Sequence, residues 1–243
     1  MRMTRMIFSI LMFSLSFSGM SFGESNWMPE GYFNGNQLKL ANEIKNGRLE
    51  EVKIWARVTD LNSPGRKGMT LLMYSLLVAS DGRSDVNLEI ITQLVRAGAD
   101  PLSNIPEHGS AADAMARSND PRYLKALIAG GLDKNAVSSA RPLIMNATSE
   151  NSMPVLEYLV GIGADVNKPD TAGKTALIFG LTRMDLNQVE YLLQHGANPN
   201  VVTKAGWSFK DLLDDMLNKE GKGNDATSRK LHEIKKLAVS KGM

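Results

Sequence analysis

Four glycines recur along this 243-residue chain at nearly constant intervals of 33, 32 and 33 residues: Gly98, Gly131, Gly163 and Gly196. Each opens the same short phrase, in which glycine is followed by alanine or leucine and then by aspartate or asparagine. Self-similarity at a fixed period of about 20–50 residues is typical of stacked repeat proteins. The spacing therefore predicts one small unit repeated along the chain, with each unit burying its apolar side against its neighbours.

The fifth unit shows the local logic most clearly. Thr175 is expected to begin a first helix, because its hydroxyl can accept backbone N–H bonds from the first turn. Leu177 falls on the inward side of that helix, and Val189 and Leu192 have helical spacing in a second one. Gly196 is expected to end the second helix, since the residue after a helix often adopts a left-handed conformation that suits glycine.

These phrases resemble the ankyrin repeat, whose pattern is Gly-x-Thr-Pro-Leu-His-x-Ala, then Val-x-x-Leu-Leu, then Gly-Ala-Asp. The matching stretches in the fifth unit are Gly173-Lys174-Thr175-Ala176-Leu177, Val189 to Leu193, and Gly196-Ala197-Asn198. The resemblance covers about residues 36 to 240 and implies an all-α ankyrin-repeat solenoid of helix-turn-helix units joined by hairpin turns. After an N-terminal segment at 24–35, the implied repeats are 36–66, 67–107, 108–138, 139–171, 172–204 and 205–243, with the first and last as caps.

The chain departs from that pattern in two ways. The usual histidine is absent from every unit, and its place is taken by Met73, Asp113, Ile144, Ile178 and Asp211. The hydrogen bonds that this histidine makes between repeats must therefore be lost or replaced. Two polar insertions, around 80–84 and at 219–225, have the composition of mobile loops.

The first 23 residues have a different character. Arg2 and Arg5 precede an uncharged apolar stretch at 6–17, and Ser21-Phe22-Gly23 follows with small residues at its first and third positions. This layout predicts a secretory signal peptide, 1–23, that is cleaved after Gly23, so that no stable membrane anchor remains. A membrane anchor is the alternative, although the apolar stretch is shorter than the roughly 20 residues that a spanning helix needs.

Composition narrows the chemistry that is available. The chain has no cysteine, which excludes cysteine-linked lipids, disulfides and thiolate zinc sites. The three histidines, His108, His195 and His232, have no metal-binding spacing, and no nucleophile or phosphate-binding motif occurs. Removal of 1–23 would leave 26 basic and 26 acidic residues. The mature chain would then be neutral and would have no strong electrostatic attraction to nucleic acid. We therefore expect no enzyme activity, no cofactor and no metal.

The remaining candidate for a functional site is the extended concave face that hairpin turns and first helices form in a stack. Exposed aromatic and charged side chains there are the natural contacts for a protein partner. The candidates by register are Arg66, Lys67, Tyr74, Asn104, Glu107, Lys134, Lys168, Asp170, Phe179, Lys204 and Trp207. For Tyr74, Phe179 and Trp207 the alternative is packing against the next repeat. Trp27, Tyr32 and Phe33 are expected to cover the open end of the first repeat instead.

The resemblance also suggests a function. Small exported ankyrin proteins of this kind are similar to periplasmic immunity partners of secreted antibacterial effectors, such as lipases delivered by type VI secretion. That likeness implies a periplasmic toxin inhibitor that acts by protein–protein interaction. Other exported bacterial ankyrins that resemble this chain support catalase-type defence against peroxide, which is the alternative function.

Overall fold

The computed structural model describes residues 27–82, 84–105, 109–149, 151–219 and 225–243. Within these residues the chain forms twelve α-helices in six consecutive pairs: α1 (Gly35–Lys45) and α2 (Leu49–Ala56), α3 (Leu71–Gly82) and α4 (Asp85–Arg96), α5 (Ala111–Ala116) and α6 (Pro121–Gly130), α7 (Leu143–Asn146) and α8 (Met153–Gly161), α9 (Ala176–Thr182) and α10 (Leu186–Gln194), α11 (Phe209–Lys219) and α12 (Ala226–Ser240). The predicted all-helical stack of helix-turn-helix units is confirmed. The signal-peptide prediction, 1–23, lies outside the described residues.

The only strands among the described residues are two short ones, β1 (Val137–Ser138) and β2 (Arg141–Pro142), which pair antiparallel. Two single 3₁₀ turns occupy Pro29–Gly31 and Arg66–Gly68. The chain divides into two compact units, of which unit 1 ends at Asp133 and unit 2 is Lys134–Met243. Each unit therefore contains three of the six helix pairs.

The repeated glycines have the conformation that the sequence predicts. All four have positive φ: 105° at Gly98, 127° at Gly131, 74° at Gly163 and 91° at Gly196. Residues with a Cβ rarely adopt this conformation, whereas glycine enters it at no steric cost. Each glycine follows the second helix of a pair and turns the chain towards the next hairpin.

Apolar side chains from both helices of each pair fill the core. In unit 2, Leu177, Ile178, Val189, Leu192 and Leu193 are fully buried, as the helical spacing predicts. Burial of one such leucine stabilises the fold by roughly 1.5–3 kcal/mol. Packing of one pair on the next is therefore the main source of stability in each unit.

Residues 80–82 of the insertion near 80–84 are helical, where its composition suggested a loop, and Arg83 lies outside the described residues. Helix α3 continues through Ser80 to Gly82, and Ser80 is buried with its hydroxyl donating to the carbonyl of Leu77 at 2.8 Å. Ser84 then begins α4, since its side chain accepts the N–H of Asn87. The extra residues therefore lengthen a helix, because the apolar run before them continues the helical pattern. Of the second insertion, 220–224 lie outside the described residues.

The N-terminal segment packs against α1 and also against the hairpin and first helix of the second repeat, so it extends beyond the open end of the first repeat that it was predicted to cover. Phe33 is buried, and its ring meets the Tyr74 ring edge-on at 5.5 Å between centroids. Tyr32 lies 6.2 Å from Tyr74, and the chain approaches so closely that a Cβ on Gly65 would lie 2.3 Å from the Tyr32 carbonyl oxygen. Aromatic pairs at these separations add about 0.5–1.5 kcal/mol beyond the area that they bury.

Helix α12 closes the end of unit 2. Leu231, Ile234 and Ala238 are buried on its inner side. Lys230 pairs with Glu190 on α10, and the Nζ of Lys235 lies 2.7 Å from an Asp214 carboxylate oxygen on α11. Part of the basic character of this last helix therefore serves to attach it to the preceding helices.

Asparagine side chains connect the turns of successive repeats. In unit 2, Asn167 donates its amide N–H to the carbonyl of Gly196 at 3.1 Å and accepts the N–H of Asn198 at 2.8 Å. In unit 1, Asn62 makes the equivalent pair of bonds to Gly98 and Asp100, at 2.9 and 2.8 Å. One amide therefore satisfies both a donor and an acceptor of the next turn.

Asn167 lies four residues after the repeat glycine Gly163, and the equivalent position of most other repeats is also asparagine. In unit 2 it is occupied by Asn135, which accepts the N–H of Asp165 at 2.8 Å, and by Asn200, which donates to the carbonyl of Gly242 at 3.0 Å. In the repeat that begins at Gly98 the position is Leu102, which has no amide to offer.

Replacement of the usual histidine has different consequences for hydrogen bonding in two of the repeats. Thr175 precedes α9 without a side-chain capping bond, and its hydroxyl oxygen is the one buried side-chain polar atom of the described residues without a hydrogen-bond partner. Ile178 stands where the pattern has histidine and offers no polar atom. At α11 the replacement is Asp211, whose carboxylate accepts the N–H of Ser208 at 3.0 Å and its hydroxyl at 2.5 Å. The predicted capping bond of Thr175 is therefore wrong, whereas Ser208 and Asp211 form a reciprocal cap.

We expect Thr175→Val to raise the free energy of unfolding by about 1 kcal/mol, because it removes a buried hydroxyl that makes no hydrogen bond. The matched control is Thr70→Val, since the Thr70 hydroxyl oxygen accepts the Met73 N–H at 3.2 Å and is also buried. This second change should lower the free energy of unfolding by about 1 kcal/mol. Urea denaturation followed by circular dichroism measures both, and an equal loss in the two variants would contradict the assignment at Thr175.

We expect Asn167→Ala to lower the free energy of unfolding by about 1–3 kcal/mol, because two hydrogen bonds between repeats are lost. Asn151→Ala is the control, since Asn151 is exposed and lies outside the connecting positions. Its effect should stay within about 0.5 kcal/mol. Thermal or urea unfolding of the purified chain checks both values, and a neutral Asn167→Ala would show that the asparagine connections carry no stability.

Candidate functional site

Three hairpin turns of unit 2 connect successive helix pairs, at 134–142, 167–175 and 199–208. In the first, Val137 pairs with Pro142 and Ser138 with Arg141. The two residues at its tip, Ser139 and Ala140, have φ values of 49° and 67°. A two-residue turn with both φ values positive favours Asn-Gly, so these side chains make the tip conformationally costly.

The three hairpins pack directly against one another. The backbone N–H of Lys204 donates to the carbonyl of Ala172 at 3.0 Å, and a Cβ on Gly173 would lie 3.1 Å from the Lys204 nitrogen. On the other side, the Nζ of Lys168 donates to the carbonyl of Asn135 at 2.6 Å. The hairpins therefore form one continuous edge of unit 2, next to the first helices.

Phe179 lies on α9 beside this edge. Its ring is half-buried and is flanked by two guanidinium groups, with the central carbon of Arg141 at 5.1 Å and that of Arg183 at 5.7 Å from the ring centroid. The guanidinium of Arg183 is also paired with the Asp185 carboxylate at 3.0 Å. Such cation–π contacts are worth about 0.5–1 kcal/mol at exposed sites. The aromatic face is therefore held between two cations.

Trp207 is the largest apolar side chain that unit 2 leaves open, with 54% of its surface exposed. Its backbone is fixed, because its carbonyl accepts the Thr203 N–H at 2.8 Å and its N–H donates to the Thr203 hydroxyl at 3.1 Å. Val202, on the same hairpin, is 56% exposed. Thus the hairpin is held by its backbone while its apolar side chains face solvent.

Three of the predicted contact residues in unit 2 form hydrogen bonds with other residues of the chain. The Nζ of Lys134 donates to the carbonyl of Ile162 at 2.7 Å, and Lys168 has the bond to Asn135 given above. The Asp170 carboxylate accepts the N–H groups of Ala172 and Lys174, both at 2.8 Å. These side chains shape the turns, while Lys204 is exposed on the neighbouring hairpin.

The predicted residues in unit 1 are less concentrated. The Arg66 guanidinium donates to the carbonyl of Glu30 at 3.1 Å, and the Lys67 ammonium lies 5.6 Å from the Tyr32 ring centroid. Both therefore bind the N-terminal segment while their side chains stay exposed. Asn104 is exposed on its turn, and Glu107 lies outside the described residues.

Tyr74 is not a surface contact, which corrects the prediction. Its side chain is 0% exposed, and its hydroxyl donates to the carbonyl of Trp27 at 2.8 Å. Burial raises the pKa of Tyr74 above its ordinary value of 10.0, and the negative charge of Glu30 adds to the shift. The side chain packs inward because the N-terminal segment covers it, which is the packing alternative considered for this residue.

The sequence-based set omitted two residues that the structure places around Phe179, namely Arg141 and Arg183. The signal for Arg141 was present, because a charged residue occupies the position where the repeat pattern has threonine. Lys174 was also omitted, although it lies on the middle hairpin and is half-buried. The edge of unit 2 therefore carries more cationic side chains than the sequence predicted.

Two of the histidines belong to second helices, with His195 at the C-terminal end of α10 and His232 in the middle of α12. His195 stacks on the Tyr191 ring at 3.9 Å between centroids, with its Nδ1 2.8 Å from the Tyr191 carbonyl oxygen. His232 makes the same backbone contact to Ser228 at 2.8 Å, and His108 lies outside the described residues. No group of three or more metal-ligating side chains that could hold an ion occurs among the residues that the structure describes. In that same part of the chain, no helix combines the length and apolar character needed to cross a bilayer.

Comparison with known proteins shows which family part of the chain resembles. Residues 111–203 match the sequence pattern of the family described as ankyrin repeats in three copies. Human ankyrin repeat and SOCS box protein 6 is 32% identical over 97 residues, which cover 36% of this chain and 23% of that protein. Protein PhlB of Serratia liquefaciens is 29% identical over 149 residues, which cover 60% of this chain and 62% of that protein. The chain thus spans less than two thirds of each of these relatives.

Three solved structures share the fold at sequence identities below 25%. The ankyrin repeat domain of Bcl-3 has a TM-score of 0.61 and 24% identity, covering 84% of this chain and 85% of that one. An ankyrin repeat domain from Acinetobacter baumannii AYE has a TM-score of 0.58 and 22% identity, covering 84% and 97%. A chain from the complex of the Bdellovibrio bacteriovorus predatory endopeptidase Bd0816 with immunity protein Bd3460 has a TM-score of 0.53 and 21% identity, covering 80% and 96%.

We expect Tyr74→Phe to lower the free energy of unfolding by about 1 kcal/mol at pH 7, because the bond to Trp27 is lost. Because the pKa of Tyr74 is raised in the folded state, folding opposes ionisation of its hydroxyl. The contribution of Tyr74 to the free energy of unfolding is therefore complete below pH 10 and is lost as the pH rises further. The variant lacks this group, and the stability gap between wild type and variant should therefore narrow from pH 7 to pH 11. Urea denaturation at both values measures the gap, and a constant gap would contradict the inference.

Proposed function

We propose that this chain is a non-enzymatic, protein-binding scaffold of the periplasm, because residues 111–203 match the ankyrin-repeat family and the described residues have the ankyrin-repeat fold. Its partner in this proposal is a secreted antibacterial effector, such as a lipase, which it inhibits as an immunity protein. The export step rests on the signal peptide that the sequence predicts at 1–23. No cofactor is required, since inhibition by binding needs only a complementary surface.

The observation that carries the proposal is the open edge of unit 2. Trp207 and Val202 are more than half exposed on a hairpin whose backbone hydrogen bonds are already made, and Phe179 lies between two guanidinium groups nearby. Aromatic and arginine side chains dominate the energy of protein interfaces. A preformed backbone also reduces the entropy that binding costs.

The comparisons support the same class of function. One structural neighbour comes from a complex in which an immunity protein is bound to a bacterial endopeptidase. The likeness at 21% identity concerns the fold, so it supports an ankyrin stack as a suitable scaffold for inhibition and does not identify the effector.

The direct test is co-expression of the chain with the effector encoded beside its gene, in a strain that the effector kills when it is exported. We expect rescue of growth and a stable complex of the two purified proteins. Growth arrest without a complex would overturn the immunity role. In a deletion strain, peroxide survival should remain normal, whereas a loss of survival would favour the oxidative-stress role.

We expect Trp207→Ala to weaken effector binding by about 2 kcal/mol or more, roughly 30-fold in Kd, because a central exposed aromatic residue is lost. The hairpin should stay folded, since its bonds to Thr203 come from the backbone of Trp207. Val239→Ala is the matched control, because Val239 is 56% exposed on α12, away from the hairpins. Isothermal titration calorimetry measures both, and equal affinities for the two variants would exclude Trp207 from the interface.

A further inference from the structure

Charge is segregated over residues 134–211 of unit 2 in a way that the repeat pattern does not require. The last helix pair does not continue the pattern, since α11 carries Asp214 and Asp215 and α12 is rich in Lys and Arg. Between residues 134 and 211, all seven Lys and Arg residues lie in the hairpins and first helices, at 134–147, 166–183 and 199–211. These segments contain only two acidic residues, Asp170 and Asp211. The second-helix segments, 148–165 and 184–198, contain five acidic residues and no Lys or Arg.

The same segments of unit 1 show no such separation. Its hairpin and first-helix segments in the same register, 61–82 and 101–117, contain three basic and three acidic residues. A solvated repeat surface therefore does not need one sign of charge on its hairpins, and the pattern in unit 2 is specific to that unit.

The two acids in the basic segments of 134–211 are already engaged in hydrogen bonds of their own turns. Asp170 accepts two N–H groups of its own turn, and Asp211 caps α11 through Ser208. Hydrogen bonding holds the pKa of Asp211 below its ordinary value, which keeps this carboxylate ionised in its cap. Neither carboxylate is paired with a neighbouring hairpin cation.

Three of the seven cations have no ion pair and no side-chain hydrogen bond among the described residues: Arg141, Lys174 and Lys204. Arg141 and Lys204 are exposed, and Lys174 is half-buried. The other four have partners, with Lys134 and Lys168 on backbone carbonyls, Arg183 on Asp185 and Lys210 on Asp214. One unpaired cation therefore lies on each of the three hairpins, and the hairpins pack side by side.

Backbone strain points to the same place. Ser139 and Ala140 both have positive φ immediately before Arg141, whereas the following hairpins use Gly173 and Gly206 at their tips, with φ values of 77° and 83°. Costly backbone conformations of this kind cluster at binding sites. Here the strained turn presents Arg141 beside Phe179.

We propose that the row formed by Arg141, Lys174 and Lys204, together with Phe179 and Trp207, binds an acidic segment of the partner protein. This inference rests on the proposed protein-binding function and names the chemistry that the partner presents. Aspartate and glutamate carboxylates would pair with the three open cations, while an apolar or aromatic side chain would cover Trp207.

A polyanion fits the surface less well than an acidic peptide segment. Duplex DNA carries one charge about every 1.7 Å, and tight binding takes many phosphate contacts, whereas this row offers three open cations. The whole chain is close to neutral, with 28 basic and 26 acidic residues, so it lacks the net positive charge that would favour a nucleic acid or an anionic membrane. Nearby aromatic side chains add the apolar component that a protein segment supplies.

The first test uses random 12-residue peptides displayed on phage and selected on the full chain. We expect selection of sequences rich in Asp and Glu with at least one apolar or aromatic residue. A selected peptide, labelled with fluorescein, then gives Kd by fluorescence anisotropy, beside a version in which every Asp and Glu is replaced by Asn and Gln. The amide version should bind at least about tenfold more weakly. Selection without acidic enrichment would overturn the proposal.

The second test compares two triple variants with equal change in net charge. Arg141→Gln with Lys174→Gln and Lys204→Gln should weaken binding of the acidic peptide about tenfold or more. The control neutralises three exposed lysines elsewhere, Lys125, Lys236 and Lys241, and should stay within about twofold, because distant surface charges are screened. Equal losses in both variants, or tighter binding of a 20-nucleotide single-stranded DNA or of phosphatidylglycerol vesicles than of the peptide, would overturn the proposal.

The effector experiment separates this inference from the proposed function. If the effector binds wild type and the hairpin triple variant equally, the acidic-segment inference fails while the immunity role stands. If no effector complex forms but acidic peptides bind in the charge-dependent way described, the immunity role fails and the assignment of the basic row stands.

Discussion

The hydrogen bonds between the polar turns are the constraint on which the candidate site depends. In unit 2, Asn167 joins two turns through one side-chain amide, and Asn135 and Asn200 extend the connection in both directions. A buried or half-buried turn must satisfy its backbone groups internally, since an unmade bond costs more than a made one contributes. Because asparagine, lysine and aspartate side chains meet that requirement from within the stack, the remaining side chains of the hairpins are left to face solvent.

The helical scaffold was predictable because its determinants are local. Glycine every 33 residues, apolar spacing and small polar residues before helices each act within one turn or one helix, and the structure follows them. Ser80 to Gly82 show the limit of composition, because polar residues that follow a long apolar helix extended it instead of forming a loop. Thr175 shows another limit, since its hydroxyl lacks a partner only in the context of an apolar residue at 178.

The candidate site was predicted less well, for a physical reason. Whether an aromatic residue on a first helix or a hairpin is exposed depends on segments far away in sequence. Tyr74 is buried because Trp27 to Phe33 return over it, whereas Trp207 has no such cover. Arg141 was not predicted as a contact residue, because it stands where the repeat pattern has threonine and so looks like a simple departure from that pattern. The separation of charge along 134–211 is nevertheless visible in the sequence itself.

That separation of charge also gives residues 134–211 of unit 2 an electric dipole directed across their helix pairs, with acidic residues in the segments of α8 and α10 opposite the basic hairpins. Oriented charges turn an approaching molecule of opposite sign before contact, and such steering raises association rates by about 10–1,000-fold over those of uncharged surfaces. Under the proposed inhibitory function, the speed of capture matters as much as the lifetime of the complex. The arrangement therefore favours interception at low concentration, when each encounter has to be productive.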